Sequence, residues 1–284
     1  MAELLKGAPV VAAMNEKASA DVLALKEKGV HATLAIVRVG EKPDDIAYEQ
    51  GATKRCEKVG VGVRHVTLPQ DATQATLQEA LRKLNSDSGV HGVLLLRPLP
   101  AQMNDNEVCN TLAPEKDIDG ITDASLAGVF AGIETGYPPC TAQACMEILE
   151  YYGVDPKGKR ATVVGRSLVV GKPLSMMLLQ KHATVTICHT RTVDLPSVCR
   201  EAEILTISAG RKARGFTAEY FSPGQVVLDV GIYVDENGKM CGDVDFEAAE
   251  TMVGSVTPVP GGVGTVTTSV LVKHVVEAAQ KQTQ

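Results

Sequence analysis

The residues best suited to chemistry in this chain lie between 160 and 192. Gly165, Arg166, Ser167, Gly171, Lys172 and Pro173 are spaced G-R-S-x-x-x-G-K-P between a β-rich run and a helical pattern. Backbone N–H groups of such a turn, and of the helix that it opens, point at an anion. Pro173 suits the first helical turn, where a missing N–H loses nothing. The spacing differs from G-x-G-x-x-G, so the segment would also serve as a plain strand–turn–helix connection. The end of the next strand selects the dinucleotide. In NAD-binding sheets an acid about 20 residues on takes the ribose hydroxyls. Here the strand runs into His189-Thr190-Arg191-Thr192, with no acid before Asp194. Arg166 and Arg191 can offer guanidinium groups to a 2′-phosphate, and Thr190 a hydroxyl. NADP is therefore expected over NAD, the alternative being that both arginines are solvated surface residues. His189 reads as a polar strand-end residue and not as a catalytic base.

The elements that must position these residues follow from periodicity. Residues 1–29 are helical in pattern. Residues 32–39 (ATLAIVRV) predict a strand, 46–59 a helix ending at Gly60, and 61–68 a strand. Residues 76–86 predict a helix with Leu77, Ala80, Leu81 and Leu84 on one face, and 90–96 (VHGVLLL) a buried strand. Residues 137–141 (YPPCT) read as a linker before a helix at 142–152. A second unit starts at Arg160: strand 161–165, the glycine turn, helix 173–181 and strand 183–188. Further strands are expected at 204–208 and 226–230, then a rigid glycine-rich loop at 258–264 and a final helix at 266–279. Alternation of strands and helices predicts an α/β fold with a mainly parallel sheet.

Composition limits what such a fold can do. The chain has 284 residues, 44% hydrophobic and 22% charged, with a formal net charge of −6, so it is globular with a sizeable core. Lys and Arg form no stripe, which argues against nucleic-acid and membrane-surface roles. Trp is absent and aromatics make up 4%, which argues against stacking platforms for single strands. Seven Cys without a CxxC pair suggest free thiols in a reducing cytoplasm. The N-terminus has no signal-peptide pattern, and no run approaches a membrane span.

Several motifs together resemble the methylenetetrahydrofolate dehydrogenase/cyclohydrolase family. They are ELLKGAPV near the start, Val39-Gly40 followed by Pro43, and Tyr48 with CEKVG eight residues on. Pro98-Leu99-Pro100, KDIDG at 116–120 and Pro139-Cys140-Thr141 follow. The C-terminal half adds the Gly165 turn, Asp229-Val230-Gly231-Ile232, Gly242-Asp243-Val244 and TPVPGGVG at 257–264. The resemblance covers nearly the whole chain in the family's order. It implies a folate-binding α/β domain (1–146 with 267–284), a Rossmann-like doubly wound NADP domain (147–266), and folate in a cleft between them. It implies oxidation of 5,10-methylenetetrahydrofolate to the methenyl cation with NADP, in most members followed by hydrolysis to 10-formyltetrahydrofolate. By the same resemblance Asp119 binds the pterin, its carboxylate accepting two parallel N–H bonds. Tyr48 packs against the folate, Leu96 lies at the substrate site, and the loop with Pro258 and Gly262 forms the far wall. Gly165, Arg166, Ser167, Thr190, Arg191, Gly231 and Ile232 fall at cofactor positions. A homodimer through the cofactor domain is also implied, with no metal. Read without the resemblance, Asp119 would be a cap or turn residue, Tyr48 a core residue and the glycines a tight turn.

The sequence departs from the family at one chemical position. The usual pattern is a Tyr followed four residues later by a Lys, which a helix places on one face. Four residues after Tyr48 stands Ala52. Lys54 lies two positions further, roughly 200° around a helix of 3.6 residues per turn, so it points to the other side. The family's Gln two residues before Pro-Leu-Pro, which hydrogen-bonds that Lys, is Leu96 here. Losing one partner strands a buried polar group at roughly 1–3 kcal/mol, whereas making both apolar is nearly neutral, so Ala52 and Leu96 read as a paired exchange. Arg97 beside Leu96 is always charged and so a poor proton shuttle. Ala142 and Thr265 stand where the family usually has Pro, and no function attaches to them. Hydride transfer needs alignment but no protein-borne proton, whereas hydrolysis needs water activation and proton delivery. The expectation is a dehydrogenase with weak or absent cyclohydrolase activity. The alternatives are a full bifunctional enzyme and a catalytically silent folate- or NADP-binding protein.

Overall fold

The computed structural model describes residues 1–210 and 213–283. The chain runs β1 (Glu3–Leu4), α1 (Gly7–Glu27), β2 (Thr33–Val39), α2 (Pro43–Val59), β3 (Gly62–Leu68), α3 (Gln74–Ser86) and β4 (Gly92–Leu95). Next come α4 (Asp105–Cys109), α5 (Asp123–Ala131), α6 (Cys140–Tyr151), β5 (Arg160–Val164), α7 (Gly171–Gln180), β6 (Thr184–Cys188) and α8 (Leu195–Arg200). The rest is β7 (Ile204–Ile207), β8 (Val226–Asp229), β9 (Tyr233–Val234), β10 (Met240–Cys241), α9 (Phe246–Met252), β11 (Ser255–Val256) and α10 (Val263–Gln282). Two compact units result. One takes residues 12–140 and the chain from Thr268 onward; the other takes residues 1–11 and 141–267. The sequence predicts residues 1–11 in the folate-binding stretch. In the structure they lie with the other unit, because β1 pairs in parallel with β11 through Glu3↔Ser255 and Leu4↔Val256.

The first unit is built on a three-stranded parallel sheet in the order β3-β2-β4. β2 is central and apolar nearly throughout, as a strand covered on both faces must be. α3 turns Leu77, Leu81 and Leu84 inward, one stripe at helical spacing, and Thr73 caps it by accepting the Thr76 N–H. These leucines join Val37, Val93, Leu95 and Leu112 in one core. α2 starts at Pro43, three residues before the expected start. Pro at the first turn followed by Asp44 and Asp45 suits a helix N-terminus, and Gly60 at φ 86° ends it. Its buried stripe is Asp45, Glu49, Ala52, Cys56 and Val59. The Glu49 carboxylate accepts from Arg38 Nε at 2.7 Å and pairs with His65 Nδ1 at 2.5 Å, which ties α2 to β2 and β3. The expected strand 90–96 is shorter, ending at Leu95, and α6 takes in Cys140 and Thr141 from the expected linker.

The second unit carries a six-stranded sheet, all parallel, in the order β1-β11-β8-β7-β5-β6. From β5 the chain passes through α7 to β6 at the edge, then through α8 to β7 on the other side of β5. The winding therefore reverses between β5 and β7. In open α/β sheets ligands bind outside the carboxyl ends of the strands at that reversal. Val164, Leu205, Ile207, Phe221, Val227 and Val256 share the core. The six strands and their crossover helices form the expected Rossmann-like doubly wound fold. Among the described residues no helix is long and apolar enough to cross a membrane. All seven cysteines are free thiols and all are buried.

Candidate active site

In the first unit the KDIDG segment shows how neighbouring residues divide their work. Lys116 is buried and donates to the carbonyls of Leu84 and Asp87, at 2.8 and 2.6 Å, where α3 ends. Asp117, fully buried, accepts from the N–H groups of Ile121 and Thr122 and from Ser125 Oγ, and so holds the start of α5. Gly120 sits at φ 64°, and a Cβ there would meet Pro139 N and Tyr137 O at 2.5 Å. Only glycine lets this turn lie against the 137–140 segment. That close approach brings Cys140 to Asp119, whose carboxyl accepts from the Cys140 thiol and N–H. Burial pushes the Asp119 carboxyl up to about 6, opposed by the Cys140 donors and by Arg97 and reinforced by Asp117. The Cys140 thiol also faces Ile118 O at 3.3 Å, and His274 Nδ1 approaches the same carbonyl at 2.8 Å.

Tyr48 is half-buried on α2. Burial first, then the charge of Asp119 and then Cys140, hold its phenol far above the ordinary range. Tyr48 thus lies within electrostatic reach of Asp119 and Cys140, and it stays protonated throughout the working pH range. Ala52, one helical turn on, is fully buried, whereas Lys54 is exposed, as the helical spacing requires. Leu96 is buried at the carboxyl end of β4, its N–H donating to Val37 O at 2.9 Å. Arg97 is exposed and clamps Asp105 through Nε and Nη2. Lys42 Nζ donates to Pro98 O at 2.7 Å, tying the start of α2 to the Pro-Leu-Pro turn.

In the second unit a cavity of about 340 Å³ opens at the reversal between β5 and β7. Gly165, Arg166 and Ser167 line one side and His189 and Thr190 another. The glycines are required by contact. A Cβ on Gly165, at φ 138°, would lie 2.4 Å from Ser208 Oγ, and one on Gly171 would lie 2.2 Å from Gly165 O. Ser167 Oγ accepts the Val170 N–H at 3.1 Å and shapes the turn. Sequence reasoning missed the remaining wall: Val164, Leu195, Ser208, Ala209, Gly215, Phe216 and Tyr220. The small residues Ser208-Ala209-Gly210 at the end of β7 were the available signal. Arg191 lies outside the cavity lining; it is exposed, and its N–H donates to His189 Nδ1. Gly231 and Ile232 also lie outside the lining. Gly231 is buried with its N–H on Asp229, and Ile232 is 60% exposed. In the TPVPGGVG loop a Cβ on Gly262 would meet Pro258 O at 2.5 Å, so the loop is tight at that residue, and Pro258 is half-buried.

A glycine turn at the reversal of a doubly wound parallel sheet marks a dinucleotide-binding α/β protein. Family comparison makes this specific. Residues 5–119 match the sequence model of the tetrahydrofolate dehydrogenase/cyclohydrolase catalytic domain, and residues 139–283 match that of its NAD(P)-binding domain. The chain belongs to that family and is an enzyme of it, which sets aside the silent-binding alternative. It is 49% identical over 282 residues to the bifunctional protein FolD of Carboxydothermus hydrogenoformans, covering 99% of this chain and 98% of that one. It superposes on the crystal structure of the bifunctional FolD dehydrogenase/cyclohydrolase from Campylobacter jejuni with a TM-score of 0.96, at 34% identity and 99% coverage of both. The Trypanosoma brucei dehydrogenase-cyclohydrolase, complexed with NADP and an inhibitor, gives a TM-score of 0.92 at 30% identity. That match covers all of this chain and 99% of the other.

Proposed function

We propose that this enzyme oxidises 5,10-methylenetetrahydrofolate to the methenyl compound with NADP. The observation that carries the proposal is the pairing of Tyr48 and Asp119, both within the match to the catalytic domain, with Cys140 against Asp119. Asp119 presents a carboxylate that is oriented by Cys140 and largely shielded from water. Such a group suits two parallel N–H bonds from an aminopyrimidine edge. Tyr48, fixed as a neutral phenol, offers a flat apolar wall. Gly165, Arg166 and Ser167 would cradle the pyrophosphate, since their turn leaves room for an anion that a Cβ would fill. Thr190 and the two arginines favour a 2′-phosphate. Gly231, Ile232, Pro258 and Gly262 remain proposed contacts on family resemblance. NADP, when bound, accepts the hydride. The protein orients the methylene carbon and excludes water, while the folate's own nitrogen supplies the electron push, so no side chain must carry a proton.

For the hydrolytic step, the comparisons support a full bifunctional enzyme better than a loss of hydrolysis, because relatives matched over the whole chain carry that name. A specific observation favours a second reading with slow hydrolysis. Ala52 is fully buried, Leu96 is buried, and Lys54 points to solvent, so no lysine follows Tyr48 on its face. Incubation with methylenetetrahydrofolate and NADP separates the two. Slow hydrolysis leaves the methenyl compound accumulating at the rate of dinucleotide reduction; a bifunctional enzyme passes it on to 10-formyltetrahydrofolate. We also propose a cytoplasmic homodimer, on the family resemblance and the seven free thiols.

A further inference from the structure

Two buried carboxylates of the second unit are not used by the proposed reaction. Asp229 ends β8, and its carboxylate accepts three backbone N–H groups at 3.0 Å: those of Gly231 and Asp243 on Oδ1 and that of Val244 on Oδ2. Its own N–H donates to Thr257 Oγ1 at 2.8 Å, at the head of the TPVPGGVG loop. Asp243, fully buried, accepts the Ala209 N–H on Oδ2 at 2.9 Å and the Tyr233 hydroxyl on Oδ1 at 2.7 Å. Glycines make room for both groups. A Cβ on Gly242 would lie 1.9 Å from Asp229 Oδ2, and one on Gly231 would lie 2.5 Å from Asp243 N.

We infer that Asp229 and Asp243 act together as positioning residues for the dinucleotide site, fixing Ala209 in the cavity wall and setting the Gly231-Ile232 turn at the end of β8. The inference rests on the NADP reading above. Four chain segments meet on these two side chains: the end of β7 at Ala209, the turn after β8 at Gly231, β9 at Tyr233 and the 243–244 backbone; the 257–264 loop joins them through the Asp229 backbone N–H. Burial first, with Asp243 adding to it, pushes the Asp229 carboxyl up to about 7, against the pull of its three N–H donors. A neutral apolar plug would fill the same space with less penalty but could not aim three amides. Burial of Asp229 thus costs stability where the end of β8 is tied to the 243–244 backbone.

The bond pattern predicts an asymmetry between the two residues. Asp229→Asn must turn an NH2 group onto a backbone N–H, because both oxygens accept from amides. Asp243→Asn can keep its oxygen on Ala209 and offer its NH2 to Tyr233, whose hydroxyl can turn to accept. Steady-state kinetics on the full-length enzyme, with melting temperatures alongside, test this. D229N should raise KM for NADP by about tenfold or more while KM for the folate stays within about twofold. D243N should stay near wild type alone, and lose NADP affinity when combined with Y233F. Should D229N fail to fold, D243A, which removes the acceptor for the Ala209 N–H and the Tyr233 hydroxyl, should show the same selective rise. Equal changes in both KM values, or a lowered melting temperature with neither KM changed, would overturn the inference and leave the pair a structural feature only. Titrating wild-type protein with NADP keeps the two claims apart. Absence of binding there refutes the NADP reading, whereas tight binding by wild type and D229N alike refutes the positioning role.

Discussion

Asp119 shows in one side chain how a site trades stability for chemistry. Its carboxyl is raised from the ordinary 3.8 to about 6 by burial. A carboxyl raised in the fold disfavours its own ionisation, so the fold loses stability as pH rises from about 4 through about 6. At neutral pH the loss is on the order of 3 kcal/mol. Asp119→Asn should therefore raise the melting temperature at pH 7, with the gain vanishing near pH 4, while KM for the folate rises strongly and NADP binding persists. An unchanged folate KM would return Asp119 to a turn residue. In the wild type, KM for the folate should climb as pH falls through about 6, because a protonated carboxyl accepts only one of the two parallel bonds. Cofactor choice is also decided at single residues. With Arg166 on the cavity and Arg191 exposed beside it, kcat/KM should favour NADP over NAD, and Arg191→Ala should weaken NADP alone. Equal efficiency with both dinucleotides would remove the phosphate clamp.

The elements carrying these residues were mostly legible, for reasons that differ from one to the next. β2 and α3 announce themselves by an apolar run and by leucines at helical spacing. Apolar periodicity places the start of α2 at 46, because Asp44 and Asp45 interrupt the pattern, whereas Pro43 followed by two acids carries the signature of the actual N-terminus. β1, β11 and the β9–β10 pair are two residues each, too short for any period, and β1 pairs with a strand about 250 positions later. No local signal encodes that pairing, so the unit to which residues 1–11 belong was beyond periodicity. At the site, glycine spacing marked the turn at 165–171, but the Leu195, Phe216 and Tyr220 wall depends on the crossover of the sheet and has no motif. Gly120 is the element-scale test of this packing. A methyl there strikes backbone at 2.5 Å, so Gly120→Ala should destabilise the first unit by more than about 1 kcal/mol and uncouple Cys140 from Asp119. The α2 face offers the sharper test. Ala52→Lys alone should do little, since Leu96 leaves the ammonium unpartnered and burial disfavours its charge. Ala52→Lys with Leu96→Gln should raise cyclohydrolase activity, non-additively, toward the 10²–10⁴-fold, roughly, that a positioned acid–base group contributes. A wild-type hydrolysis rate matching the dehydrogenase turnover would defeat the slow-hydrolysis reading.

At the scale of the whole molecule, one chain folds into two α/β units, each with its own parallel sheet and its own candidate site. The three-stranded unit carries Tyr48 and Asp119 on α2 and on the turn that Gly120 permits. The six-stranded unit carries the glycine turn where its winding reverses. The acidic balance of −6 and the lack of a basic stripe fit a small-molecule enzyme better than a nucleic-acid partner. The proposed reaction needs both sites, so the most direct test uses both at once. Reduction of NADP followed at 340 nm, with methylenetetrahydrofolate varied, should show saturable turnover in the wild type and a sharp loss of kcat/KM for the folate in Asp119→Ala. No folate-dependent reduction by the wild type, or undiminished reduction by Asp119→Ala, would contradict it.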